Sequence, residues 1–284
     1  MMKRLLIALI IFLPNVVFAQ QADELKKHVE YLASPELDGR QVGTAGCDKA
    51  AEYIIQQLKV FGYTPEEQPF TMQRVTAKNV IAVRKGSLDT VIVVGAHYDH
   101  LGRRGNRYYP GADDNASGTA AVLELSRMLK TSRRTIVFIL FSGEEDGLYG
   151  STYYVKHPKY PNDKTIFMLN LDMIGYLRRD TQAYVPDVHK ILKELYIQYP
   201  WAPSIVILGG TASDQEPFAD IGIPVAFLHT GLHGNYHRTT DTPDKLNYKG
   251  MEQIVRFSYD LIKALDTHDL PDYNITGVKY EPVK

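Results

Sequence analysis

The chain has almost no cysteine with which to form covalent cross-links. It contains a single cysteine, Cys47, among 284 residues, so no disulfide can form within it. Cys47 lies between Gly46 and Asp48, beside a helical pattern. We interpret it as a small packing residue rather than as a nucleophile. The fold must therefore depend on its hydrophobic core and on any metals that it binds.

The chain also has no large excess of either positive or negative residues. The 32 lysines and arginines nearly balance the 33 aspartates and glutamates, which gives a formal net charge of -1. Proteins that bind nucleic acids usually carry a basic face, so this balance argues against a nucleic-acid partner. The hydrophobic content of 44% is enough for a substantial core. The length suits one large α/β domain.

The longest apolar run lies at the start of the chain. Two basic residues precede an apolar stretch at 5–13, and Val17 and Ala19 fit the small-residue pattern of a cleavage site. The stretch is too short to span a bilayer comfortably, so we predict a signal peptide at 1–19 rather than a membrane anchor. We therefore expect a single mature domain at 20–284, periplasmic or secreted and without stable membrane association.

Apolar strands alternate with amphipathic helices along the rest of the chain. Helices are predicted at 22–32, 50–61, 119–130, 186–199 and 251–265. Strands are predicted at 79–83, 91–95, 135–141, 165–171, 204–208 and 225–228, with a polar loop at 101–110. Runs this apolar suit a parallel sheet that is covered on both faces. The predicted fold is an α/β three-layer αβα sandwich with a mixed, mainly parallel central sheet.

Side chains that can bind metals follow three of the predicted strands. His97 follows one strand, Glu144 and Glu145 follow a second, and Asp172 follows a third. In sheets of this kind, ligands bind beyond the carboxyl ends of the strands. We therefore expect these side chains to meet at one edge of the sheet.

Two further candidates lie in loops. The segment Gly111-Ala-Asp-Asp-Asn-Ala-Ser-Gly118 precedes a predicted helix, where one aspartate could serve only as a cap. Two adjacent aspartates, Asp113 and Asp114, exceed what capping requires. His237 lies in a polar loop and would be a weak candidate on its own. Together these imidazoles and carboxylates form a donor set that zinc accepts.

The order of these motifs resembles that of the co-catalytic two-zinc exopeptidases, which include secreted bacterial aminopeptidases, glutamate carboxypeptidase-like enzymes and glutaminyl cyclases. The shared pattern is His-x-Asp, Gly-x-Asp-Asp-Asn-x-Ser-Gly, Glu-Glu, Asn-x-Asp-Met and a final histidine. It covers essentially the whole mature chain from Leu32. The resemblance implies two zinc ions per chain, for which cobalt or manganese could substitute. The implied ligands are His97 and Asp172 for one ion, Glu145 and His237 for the other, and Asp114 as the bridge.

The resemblance also implies roles for neighbouring residues. Glu144 would be the general base, taking a proton from the shared water and delivering it to the leaving amine. Tyr236 would donate to the oxyanion, with ordinary packing as its alternative. Asp99 would orient His97 through the far ring nitrogen, with a solvated turn as its alternative.

Three neighbouring residues stay outside these assignments. Asp113 is the alternative to Asp114 as the bridge, and His100 is not expected to be a ligand. Gln215 stands where relatives often have a histidine after Ser213-Asp, in a loop near the substrate pocket. The shape of the pocket that recognises the substrate is therefore left open.

The predicted function is a zinc-dependent exopeptidase, specifically an aminopeptidase that acts on peptide substrates. The preference for the N-terminal end of the peptide comes from the resemblance, because the residues alone indicate only two-metal amide hydrolysis. A carboxypeptidase or dipeptidase would need a cation for the substrate carboxylate, which Arg103, Arg104 and Arg107 could supply. A glutaminyl cyclase uses this fold with a single zinc. The presence of His97 alongside Asp172 argues for hydrolysis instead. A metal-dependent binding protein would normally lack a ligand or Glu144.

Overall fold

Strands and helices alternate along the chain, as the sequence predicts. The computed structural model describes residues 14–177, 195–202, 206–208 and 213–267. In these ranges the α-helices are α1 (Pro14–Leu32), α2 (Ala45–Val60), α3 (Gly118–Met128), α4 (Tyr149–Lys156), α5 (Glu216–Asp220) and α6 (Tyr248–Thr267). The strands are β1 (Glu66–Met72), β2 (Val75–Arg84), β3 (Val91–His97), β4 (Arg103–Arg104), β5 (Arg107–Tyr108), β6 (Thr135–Phe141), β7 (Thr165–Leu171), β8 (Val206–Leu208) and β9 (Val225–Leu228).

The main sheet has the strand order β1-β2-β6-β3-β7-β9-β8. The central strands β6, β3, β7 and β9 are parallel, and antiparallel strands complete both edges. Every residue of β3 and β6 is buried, as expected for strands that helices cover on both faces. The prediction of a mixed, mainly parallel sheet is confirmed.

Two cores lie on opposite faces of this sheet. Because side chains alternate along a strand, Ile92 and Val94 of β3 belong to one core while Val91 and Val93 belong to the other. The larger core contains buried residues of α1, α2, α3 and α6, and the smaller one contains residues of α4 and Phe218 of α5. Helices on both faces make the three layers that the sequence predicts.

Some elements differ from the predictions. Strand β1 and helix α4 were not expected, because β1 contains Pro69 and two glutamates at the sheet edge and α4 is short. The segment 101–110, predicted to be a loop, includes the small β4–β5 hairpin. Helix α1 begins earlier than predicted, at Pro14.

Two predictions concern segments that the structure covers only in part. The predicted helix at 186–199 falls largely outside the described residues, and so does most of the predicted signal peptide. Within the part of the chain that is described, no helix has the length and apolarity needed to cross a membrane.

Candidate functional site

The carboxyl ends of three parallel strands bring the candidate side chains together. His97, the last residue of β3, is the register partner of Phe141, the last residue of β6. Glu144 and Glu145 follow β6 after a short turn, and Asp172 follows directly on β7. The expected convergence at one sheet edge is therefore observed, and contacts between these side chains follow from it.

One group of donors surrounds the ring of His97. Its Nε2 lies 3.3 Å from Asp172 Oδ1 and 3.5 Å from Asp114 Oδ1. One donor atom from each of these residues lies within 4.8 Å of the others, and all three side chains are buried. These are the residues that the sequence assigns to the first ion and to the bridge.

A second group uses the other oxygen of Asp114. His237 Nε2 lies 3.0 Å from Asp114 Oδ2 and 3.2 Å from Glu145 Oε2. His100 also belongs here, with its Nδ1 2.6 Å from Glu145 Oε1. Because the two oxygens of Asp114 face different groups, its carboxylate has the geometry of a bridge between two ions.

The charges of this centre fit a bound cation. In the part of the chain that the structure describes, the ion-pair partners of Asp114, Glu145 and Asp172 are all histidines. Arg40, a buried cation, acts on Asp114 electrostatically, but its hydrogen bonds go to backbone carbonyls. Buried carboxylates that no lysine or arginine pairs with require a metal ion or protons for compensation. Nitrogen and oxygen donors at these separations suit zinc and related divalent metals. The residues present therefore fit a metal centre.

Glu144 lies beside both groups without belonging to either. Its Oε2 is 3.9 Å from His97 Nε2, and its backbone N–H donates to Asp99 Oδ1. Burial raises the pKa of Glu144, although the charge of the His97 ring opposes that shift. Burial acts on Glu145 in the same direction, but hydrogen bonds from His100 and His237 hold the pKa of that carboxyl low. Adjacent carboxyls with pKa values moved apart are typical of separate proton-transfer and ligand roles.

Asp99 contacts His97 differently from the prediction. His97 Nδ1 lies 3.2 Å from the backbone oxygen of Asp99, which fixes the ring as a donor on that side. The carboxylate of Asp99 lies 3.8 Å from the same nitrogen, which is beyond a hydrogen bond. Asp99 is fully buried, which excludes the solvated turn. The closest contact of Asp99 with the His97 ring is therefore made by its main chain.

Tyr236 is partly buried and contacts a proposed metal ligand. Its ring stacks on the ring of His237 with centroids 3.8 Å apart. Burial raises the pKa of its hydroxyl, and the carboxylates of Asp114 and Glu145 add to the effect. The hydroxyl is therefore a neutral donor at physiological pH.

Asp113 has a structural role next to the bridging residue. Its carboxylate accepts hydrogen bonds from Gly175 N–H at 2.7 Å and from the Ser117 hydroxyl at 3.1 Å. The other oxygen lies 2.9 Å from His233 Nε2, whose ring stacks on Tyr176. These contacts occupy Asp113, so Asp114 alone of the pair faces both donor groups.

Further supporting residues were missed by the sequence analysis. Asp241 Oδ2 accepts hydrogen bonds from the backbone N–H groups of Asp113 and Asp114, at 3.0 and 3.2 Å. The Ser213 hydroxyl donates to Asp172 Oδ2 at 2.8 Å. These residues lie in polar loops without periodicity, where no local signal marks them before the fold brings them together.

Gln215 and the arginine-rich hairpin bear on the open question of the substrate. Gln215 is fully buried and accepts a hydrogen bond from Asn170 Nδ2 at 2.9 Å, so it is part of the interior beneath the centre. Arg103 forms an ion pair with Asp38 at 2.6 Å. The guanidinium of Arg104 lies over the ring of Tyr109. Two of the three arginines considered for a substrate carboxylate thus already have partners.

Comparison with known proteins gives matches over most of the chain. Residues 79–262 match the model of peptidase family M28. The chain is 30% identical over 247 residues to an aminopeptidase of Bacillus subtilis, covering 78% of this chain but only 51% of that protein. It therefore spans about half the length of that curated relative.

Two solved structures illustrate the likeness of fold. A zinc aminopeptidase from Bacillus subtilis superimposes with a TM-score of 0.76 at 17% identity, covering 88% of this chain and 96% of the other. The glutaminyl cyclase of Porphyromonas gingivalis gives a TM-score of 0.72 at 19% identity, covering 86% and 98%. The family match spans β2 to α6 and includes every candidate ligand, and on that ground the chain belongs to peptidase family M28.

Proposed function

We propose that this protein is a zinc-dependent aminopeptidase that removes the N-terminal residue of peptides. The observation that supports this most strongly is the bridging position of Asp114, whose two oxygens face separate donor groups 3.5 Å and 3.0 Å away. The named activity of the Bacillus subtilis relative supports the same class of substrate. In this proposal His97 and Asp172 would hold one zinc, Glu145 and His237 would hold the other, and Asp114 would contribute to both sites.

The proposed mechanism assigns proton transfer to Glu144. The chemistry that bound zinc supplies at such centres is Lewis acidity, which polarises a carbonyl group and lowers the pKa of water. Glu144 Oε2, close to His97 but in neither donor group, would accept the proton of the attacking water and return it to the leaving amine. The burial of its neighbours excludes bulk water, which strengthens these electrostatic interactions.

The proposal is tested with a panel of peptides, free and N-acetylated, and with the zinc-loaded and chelator-treated protein. We expect release of the N-terminal residue from free peptides, loss of activity after chelation and recovery on adding zinc. A free α-amino group should be required, so acetylated peptides should be cut far more slowly. Equal cleavage of acetylated peptides would contradict an aminopeptidase and favour a carboxypeptidase.

The same panel should include a peptide with N-terminal glutamine, because the fold is shared with a glutaminyl cyclase. Cyclisation of that peptide releases ammonia and leaves the peptide bonds intact, whereas hydrolysis releases free glutamine. Ammonia release without cleavage of any other peptide would overturn the proposed hydrolysis. Mass spectrometry of the products separates the two reactions directly.

Tyr236 should contribute to the rate through its hydroxyl. We expect Tyr236→Phe to lower kcat by about 100-fold with unchanged zinc content, since it removes one donor to the oxyanion. The ring, and with it the stacking on His237, is retained in this variant. Steady-state kinetics with metal analysis makes the measurement, and an unchanged kcat would leave Tyr236 a packing residue only.

We also propose that the protein works in the periplasm or outside the cell, after removal of residues 1–19. The basic start and the apolar stretch of the sequence support this. N-terminal sequencing of the exported protein should begin at Gln20. A mature protein that retains the leader would contradict the proposed processing.

A further inference from the structure

His100 stands out among the residues of the centre because the proposed function gives it no role. Its side chain is buried at 2% exposure, and its Nε2 has no hydrogen-bond partner among the described residues. The backbone of His100 and one edge of its ring each have a close contact. The backbone N–H of His100 donates to the carbonyl of Arg40, and Gly111 lies so close that a Cβ there would be 2.5 Å from His100 Cδ2.

The contacts of His100 differ from those of His237. His237 Nε2 lies about equally close to Asp114 and Glu145, as a shared metal would require. His100 Nδ1 lies 2.6 Å from Glu145 Oε1 but 3.8 Å from Asp114 Oδ2. The shorter distance is that of a charge-assisted hydrogen bond to one carboxylate, and the longer one is not a hydrogen bond.

The carboxylate of Glu145 is thereby divided between two partners. Oε1 accepts from His100, while Oε2 lies 3.2 Å from His237 Nε2. A glutamate has three side-chain torsions, and a fixed donor on one oxygen removes most of that freedom. We propose that His100 is a positioning residue that holds Glu145 Oε1, so that Oε2 and His237 present a preformed pair of donors to the second metal. This inference rests on the metal centre of the proposed function.

The experiment measures zinc affinity instead of activity. The chain is prepared with His100→Phe, which keeps a flat buried ring but has no donor, and with His100→Gln, whose amide can donate. His237→Ala serves as the variant that loses a true ligand, and His157→Phe, at an exposed position, serves as the control for removing a histidine. Competition with a chromophoric chelator gives the affinity of each site, and cobalt(II) absorption reports the ligand set.

We expect His100→Phe to weaken one of the two sites by about 10- to 100-fold, the usual effect of losing a hydrogen-bond partner of a metal ligand. His100→Gln should recover much of that loss, and the saturated cobalt spectrum should keep the band positions of the unaltered protein. His237→Ala should change those bands, and His157→Phe should change neither quantity. If the phenylalanine variant fails to fold, the comparison of His100→Gln with His100→Leu replaces it.

Two results would overturn the inference. Zinc affinities of His100→Phe within threefold of the unaltered protein would show that the contact with Glu145 does not matter for binding. A cobalt spectrum altered as in His237→Ala would make His100 a direct ligand instead. Failure of the unaltered protein to bind two zinc ions would be a different outcome, because it would overturn the proposed function as well.

Discussion

Replacing Glu144 with glutamine should lower kcat by about 100-fold or more while the protein still binds zinc. Glutamine keeps the size of the side chain but cannot accept a proton from water at neutral pH. The side chain belongs to neither donor group, so both metal positions should stay loaded. Initial rates on a free peptide, with metal analysis of the same samples, measure both effects.

The adjacent residue provides the matched control for this experiment. Glu145→Gln alters a carboxylate that contacts both His100 and His237, so it should lower zinc affinity as well as activity. The two variants carry the same chemical change at adjacent positions. Turnover of Glu144→Gln close to that of the unaltered protein would remove Glu144 from the mechanism.

Replacing Arg40 with methionine should destabilise the protein by about 3–5 kcal/mol, because several buried carbonyls would lose their donor at a cost of about 1–3 kcal/mol each. The guanidinium is fully buried, and its described contacts are all with backbone carbonyls. It donates to Tyr98, Pro110 and Gly111, at 2.8 to 2.9 Å, and also to the carbonyl of Leu32. Methionine fills a similar space but leaves these acceptors without their donor.

By binding these carbonyls, Arg40 joins the end of helix α1 to the segments next to His97 and Asp114. Arg40→Met should therefore lower zinc affinity along with the free energy of unfolding, although Arg40 contacts no metal ligand. Denaturant unfolding and zinc titration measure the two effects. Arg103→Met, at an exposed ion pair with Asp38, is the control and should leave the unfolding midpoint unchanged. An equally small shift for Arg40→Met would contradict the argument.

The fold could be predicted well where the sequence is apolar. Strands β6 and β7 have the predicted bounds, because continuous burial leaves a hydrophobic run that cannot be mistaken for a surface segment. Strand β1 was missed since it lies at an edge, where glutamates and a proline are tolerated. Helix α4 was missed because eight residues give too short a periodic pattern.

The metal-binding side chains could be predicted for a related reason. His97 ends one buried strand and Asp172 directly follows another, so their positions in space follow from the topology of the sheet. The residues that hold them could not be predicted. Arg40, Ser213 and Asp241 act through hydrogen bonds to segments far away in the chain, and such bonds leave no pattern in the neighbouring sequence. The contact of His100 with Glu145 left no pattern in the sequence for the same reason.

The bridging position of Asp114 has a consequence for the lifetime of the protein. Its partners are His97, at the end of β3, and His237, in a loop of the last quarter of the chain, and no such cluster exists in an unfolded polypeptide. Each zinc ion that binds the proposed centre acts as a removable cross-link and favours the native state by mass action. Metal supply in the compartment would then govern resistance to proteolytic degradation as well as the rate of catalysis.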